Sequence, residues 1–302
     1  MKRKLPLISE EPTKKTKYNL NVEERAGGVK GKSSASNEKA RRPNLSVREH
    51  FTAYDAKGVA WDVPVLKEFD FNLLQPDYTV VAFGKRRTGK SFMFRWIMSK
   101  MAHFYAFILV FTNTKSNNFW QKMVPERFIH RGFNPAVVHK FLRWQDERKN
   151  DPKLKDANLK SLIIEDDVIS DTKLRYMKEQ NALFTEGRHY DAGVYVTTQS
   201  AKGINPTLRE NADVAFFFYM HSKNQKKSIY EDYLDFLEEP VFEALWKKYT
   251  IDNMCLVIVT DPMAKCFTGD PLDCLFWARA EDPGEFVLGC EEYWTGKGPM
   301  MQ

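Results

Sequence analysis

Eight consecutive residues, Gly84-Lys-Arg-Arg-Thr-Gly-Lys-Ser91, complete the pattern G-x-x-x-x-G-K-[ST], and they restrict this chain more than any other stretch of it. An apolar run, Thr79-Val-Val-Ala-Phe83, precedes them and a helix-like run, Ser91-Phe-Met-Phe-Arg-Trp-Ile-Met98, follows. Strand, loop and helix in that order turn a pattern into a mechanism. Glycines let the backbone curl until successive N–H groups point inward at a polyphosphate, and the helix N-terminus adds partial positive charge. The expected cradle is Gly84, Lys85, Arg86, Arg87, Thr88, Gly89, Lys90 and Ser91. Lys90 is assigned to the β- and γ-phosphates and Ser91 to Mg²⁺.

A second run carries acids. Ser161-Leu-Ile-Ile-Glu-Asp-Asp-Val168 is an apolar strand ending in three carboxylates. Hydrolysis of a Mg²⁺-bound nucleoside triphosphate needs one acid for the metal and a neighbour for the attacking water. Asp166 is assigned to Mg²⁺ and Asp167 to the water, with Glu165 the alternative for either role. A further strand, Val194-Tyr-Val-Thr-Thr-Gln-Ser200, places Gln199 at its tip, where a side-chain amide senses the γ-phosphate or polarises water.

The remaining organisation follows the same alternation. Strands are expected at residues 78–83, 105–112, 160–166, 193–198 and 214–219, with helices after the phosphate loop to about 104, over 135–149, from about 171 to 187, and over 206–211. Continuous apolar strands separated by helices predict an α/β fold, a doubly wound, mainly parallel sheet covered on both faces. Residues 226–302 are expected to extend it, with helices at 222–236 and 240–248 and strands at 255–260 and 274–278. The 302 residues suffice for one large domain, here drawn over 47–302 with its core at about 70–225. Charge is uneven: residues 1–50 hold 13 Lys/Arg against 6 Asp/Glu, and the other 252 hold 33 against 34. A disordered basic arm over 1–46 is therefore expected, suited to nucleic acid, an acidic surface or an import receptor. Cys255, Cys266, Cys274 and Cys290 match no zinc spacing and read as buried or half-buried thiols in a reducing compartment, without a structural metal. No apolar run approaches the length of a membrane span.

Taken together, Gly84-Lys-Arg-Arg-Thr-Gly-Lys-Ser91, Leu162-Ile-Ile-Glu-Asp-Asp167, Gly187-Arg-His-Tyr-Asp-Ala-Gly-Val-Tyr-Val-Thr-Thr-Gln199 and Pro206-Thr-Leu-Arg-Glu-Asn211 resemble the poxvirus-type genome-packaging ATPases of large DNA viruses. These are members of the FtsK–HerA superfamily of P-loop NTPases. The resemblance spans about residues 70–225 and implies the additional-strand type of P-loop fold. It implies a homo-oligomeric ring that uses ATP and Mg²⁺ to thread double-stranded DNA, independent of sequence, into a capsid. Docking on a capsid protein, or on a portal or membrane protein of the virion, is implied too. So is a soluble intracellular setting, in host cytoplasm or viral factory, with association to virions or nuclear import through the arm. The acidic strand ends Asp-Asp, as viral members tend to, where most cellular ones end Asp-Glu, which leaves the choice of base open. A ring motor also needs a cation supplied across the subunit boundary. Arg188 is the first candidate and Arg209 the second. Lys202, Lys223, Lys226 and Lys227 are candidates for DNA phosphates. The rival functions are a nucleoside or nucleotide kinase, a cellular-type translocase, and an inert nucleotide-binding scaffold.

Overall fold

The computed structural model describes residues 48–113, 119–168, 176–204 and 206–296. The chain divides into two compact units, Met1–Val65 and Leu66–Gln302. In the first, β1 (His50–Tyr54) and β2 (Ala60–Pro64) pair as an antiparallel hairpin. The Asp55 carboxylate closes its turn by accepting from the N–H groups of Lys57 and Val59.

The second unit is built around a set of buried strands. It opens with β3 (Lys67–Glu68) and β4 (Thr79–Phe83), then α1 (Lys90–Met101) and β5 (Phe107–Thr112). Next come β6 (Ile129–Arg131), α2 (Pro135–Lys149), β7 (Ser161–Asp166), α3 (Lys178–Glu186) and β8 (Ala192–Thr198). The chain continues through α4 (Pro206–Glu210), β9 (Val214–Phe217), α5 (Lys223–Ile229), α6 (Glu239–Tyr249), β10 (Met254–Val259), β11 (Leu275–Arg279) and α7 (Glu291–Thr295). No residue of β4, β5, β7, β8 or β9 is exposed, which is why these segments read as unbroken apolar runs.

Among the described residues, nine strands form one sheet in the order β3-β11-β10-β9-β4-β8-β7-β5-β6. Every neighbouring pair is parallel except those made by β10, which runs against both β9 and β11. The register sorts side chains onto two faces. Tyr195 of β8 meets Phe94 of α1, and Phe71 meets Trp96 of α1, so α1 covers one face. Phe107 of β5 packs on Phe141 and Trp144 of α2, and Phe83 on Tyr233, so the other face is covered as well. The sheet is thus doubly wound and mainly parallel, an α/β fold of the P-loop NTPase class. β8 lies in space between β4 and β7, the interposed strand for which the additional-strand type is named.

Several expectations need correction. The short strand β6 was not expected; it pairs with the C-terminal half of β5 inside what reads as a long connection. The helix expected from about 171 begins at Lys178, and residues 169–175 lie outside the described ones, as does the basic arm over 1–46. The helix expected over 222–236 stops at Ile229 and continues as a π-helical turn, Tyr230–Leu234. Cys290 is exposed at the N-cap of α7 rather than buried.

Candidate active site

The turn between β4 and α1 is shaped by two glycines. A Cβ at Gly84 would lie 2.6 Å from the Cβ of Phe218 and 2.9 Å from Thr88 Oγ1, so no larger residue fits. Gly89 adopts φ 101, a left-handed conformation, and caps α1 with no side chain bonded to the first N–H groups. By contrast, Asn134 caps α2 with its side-chain amide oxygen, which accepts from the N–H groups of Ala136 and Val137. α1 therefore keeps its N-terminal donors free for an anion. Arg87 is also left-handed, at φ 64, and Thr88 donates to the carbonyl of Lys85 at 2.8 Å, closing the loop on itself. Lys90 is only 7% exposed, and its ammonium donates to the carbonyls of Gly84 (2.7 Å) and Lys85 (3.0 Å). Burial lowers its pKa, while the nearby Asp167 and Asp166 pull it back up.

Across β8, the end of β7 meets this loop. Pleat parity puts Asp166 on the face of α1, opposite Thr197 in the register, and Glu165 on the other face. Asp166 Oδ1 accepts from Ser91 Oγ at 2.9 Å and from Thr197 Oγ1 at 2.8 Å. Its Oδ2 accepts from the indole N–H of Trp120 at 3.1 Å. Three donors thus fix both oxygens of one buried carboxylate. Thr197 Oγ1 also accepts from the N–H of Asp167 at 3.0 Å, which ties the two acids to a single hydroxyl. Asp167 stands at φ 56, and this left-handed turn swings its carboxylate off the strand toward Gln199, whose Nε2 donates to Oδ2 at 2.5 Å. Arg86 approaches the same oxygen at 3.8 Å, and Asn113 donates to the Asp167 carbonyl at 3.2 Å.

Lys90, Ser91, Asp166, Asp167 and Gln199 therefore meet at the C-terminal ends of the central strands β4, β8 and β7. Glu165 does not join them. It is fully buried and faces Gln180 of α3, whose Nε2 lies 2.9 Å from both carboxyl oxygens. Burial raises its pKa to about 8 against the opposing pull of that hydrogen bond. Arg188 precedes the other end of β8 and pairs with Asp213 at 3.4 Å, away from the phosphate loop of its own chain. Arg209 is held by Asp232 at 3.0 Å and by the carbonyls of Ala201 and Ile204. Among the basic candidates for nucleic acid, Lys226 is paired with Glu243 at 2.5 Å and Lys227 with Glu231 at 3.5 Å, while Lys202 and Lys223 are exposed.

Sequence reasoning missed Thr197 and Trp120. Thr197 carried a usable signal, since it sits two residues before Gln199 on a strand of period two. Trp120 carried none, because it lies in an aperiodic connection.

A model of the poxvirus A32 protein family matches residues 66–230. Among curated relatives, the uncharacterized protein L437 of Acanthamoeba polyphaga mimivirus is 29% identical over 236 residues, covering 76% of this chain and 81% of that one. The uncharacterized protein 075L of Invertebrate iridescent virus 6 is 27% identical over 241 residues, covering 76% and 91%. Among solved structures, the genome packaging NTPase B204 of Sulfolobus turreted icosahedral virus 2, in complex with sulfate, aligns with a TM-score of 0.48 at 16% identity. That alignment covers 69% of this chain and 98% of B204.

Proposed function

The chain belongs to the poxvirus A32 protein family, and we propose that it is an ATP-hydrolysing motor that moves double-stranded DNA in viral genome packaging. The observation that carries this reading is the Ser91–Asp166 contact of 2.9 Å across β8, with the Asp167–Gln199 pair beside it. A hydroxyl and a carboxylate at that spacing are hard oxygen donors of the kind Mg²⁺ takes together with substrate phosphates. Bound there with ATP, Mg²⁺ supplies charge neutralisation at the phosphate oxygens.

The residues of the chain supply the rest. Lys90 exchanges two backbone carbonyls for phosphate oxygens without leaving its buried seat. Backbone N–H groups of the loop and of α1 hold the phosphates in place. Gln199 orients the attacking water, whose proton passes to Asp167 as the bond from the γ-phosphorus to the ADP oxygen breaks. Thr197 and Trp120 act as positioning residues, fixing the carboxylate of Asp166 before substrate arrives. Arg188, 57% exposed and remote from its own loop, acts on the nucleotide of a neighbouring subunit in a ring. DNA is gripped through its phosphates, since packaging must accept any sequence.

The test is ATP turnover with and without long duplex DNA across protein concentrations. Stimulation by duplex, rising with assembly, is expected, and Lys90→Ala should abolish turnover in a folded protein. Stimulation by a nucleoside instead of DNA would reassign the site to small-molecule phosphorylation. A Lys90→Ala protein turning over at the wild-type rate would remove the site altogether.

A further inference from the structure

The acids and Gln199 lie on the β8–β7 side of the phosphate loop, so the terminal phosphate faces that side. The nucleoside of a bound triphosphate must then leave by the other side, over β9 and β10. What lies there is determined by the one reversed strand. Because β10 runs against its neighbours, its N-terminal end, and the turn before it, arrive where the parallel strands end. The register pairs Leu256 of β10 with Phe217 at the end of β9.

Three observations mark that turn. Asp252 and Asn253 are both left-handed, at φ 52 and 60, and the Met254 N–H bonds the Ile251 carbonyl at 2.9 Å, a tight turn that Asp and Asn favour. Asn253 reaches the loop: its Cβ and Oδ1 both lie 3.9 Å from where a Cβ on Gly89 would sit. Beside it, the Lys85 N–H points to the carbonyl of Tyr219 at 3.5 Å, which places the segment after β9 on the rim of the same loop. Tyr219 is 38% exposed, its ring edge-on to that of His221 and its hydroxyl 3.1 Å from Nδ1, and Ile251, two residues before Asn253, is 48% exposed. Two apolar surfaces and a side-chain amide that both donates and accepts suit a heteroaromatic base and its sugar.

We propose that Ile251, Asn253 and Tyr219 form the nucleoside half of the site, the Asn253 amide bonding the nucleoside and the other two flanking its base. This rests on reading residues 84–91 as a triphosphate cradle. Ile251 and Asn253 fall beyond the span matched to the family, so the C-terminal extension completes the substrate site.

The experiment compares two probes on the full chain, ATP and inorganic tripolyphosphate, by calorimetric titration. Asn253→Gly removes the amide while favouring the left-handed backbone, so the fold is kept. ATP affinity should fall about tenfold, the worth of one or two hydrogen bonds, with tripolyphosphate affinity unchanged. Tyr219→Ala should show the same split, whereas Lys90→Ala should weaken both probes. Unchanged ATP affinity in both rim variants, or equal loss for ATP and tripolyphosphate, overturns the subsite and leaves the cradle standing. Tripolyphosphate binding that is absent in the wild type, or that survives Lys90→Ala, overturns the cradle and the subsite together.

Discussion

Glu165→Gln should stabilise the protein in a pH-dependent way. The carboxyl is fully buried, with the Gln180 amide nitrogen 2.9 Å from both oxygens, and burial carries it from an ordinary 4.5 to about 8. Between those values the unfolded chain releases a proton that the folded one keeps. Folded stability therefore falls as pH rises from 4.5 to about 8 and levels off above. At about 1.4 kcal/mol per pH unit, the whole span is worth on the order of 5 kcal/mol at most. An amide at 165 has the same shape and nothing to ionise, so it removes the slope. Denaturant midpoints at pH 5 and pH 8 should show the two proteins nearly equal at the lower pH, with the variant ahead by several kcal/mol at the higher one. Asp213, raised to about 6 chiefly by burial, gives a slope of the same sign in both proteins and cancels in the comparison. Curves that stay parallel from pH 5 to 8 would refute a neutral Glu165. ATP turnover should survive the substitution, because Glu165 faces away from Ser91. Loss of turnover in a well-folded variant would restore Glu165 as the base.

Thr197→Val keeps the shape of β8 but removes the hydroxyl shared by Asp166 and Asp167, so kcat should fall roughly 10- to 100-fold while ATP binding changes little. A wild-type kcat would show that the acids hold themselves. Gly84→Ala forces a methyl group to within 2.6 Å of the Phe218 Cβ, and thermal unfolding should report a loss of about 1–3 kcal/mol. An unchanged melting point would mean that the loop yields freely. Arg188→Ala takes the guanidinium away from a buried Asp213 carboxylate that keeps the Thr79 N–H at 2.7 Å, a change expected to cost about 1–3 kcal/mol of stability. Its turnover should no longer rise with protein concentration; full activity at all concentrations would dismiss a cation acting between subunits.

The central strands β4, β5, β7, β8 and β9 were legible because each is buried along its whole length and so appears as an uninterrupted apolar word, whereas the exposed β3 and the short β6 carry no such run. Their order in space was not. That β8 slips between β4 and β7 depends on how crossovers wind, not on any local period. The same gap separates Glu165 from Asp166. Alternation along a strand says that adjacent acids face opposite sides, so only one can meet Ser91. Which one depends on the face α1 covers, and that is settled by packing. Trp120 and Asn253 were illegible for a related reason: each becomes a neighbour of the site only after the chain returns from an aperiodic connection or a reversed strand.

The placement of β8 has a mechanical consequence. All seven of its residues are buried, and it is bonded to β4 on one edge and β7 on the other. It cannot slide alone. At about 3.3 Å per residue it is a stiff rod of some 23 Å, with Gln199 at one tip and the turn bearing Arg188 at the other. Any shift of Gln199 along the strand direction must therefore carry β4 and β7 with it, which ties the glutamine to the phosphate loop on one side and to Asp166 on the other.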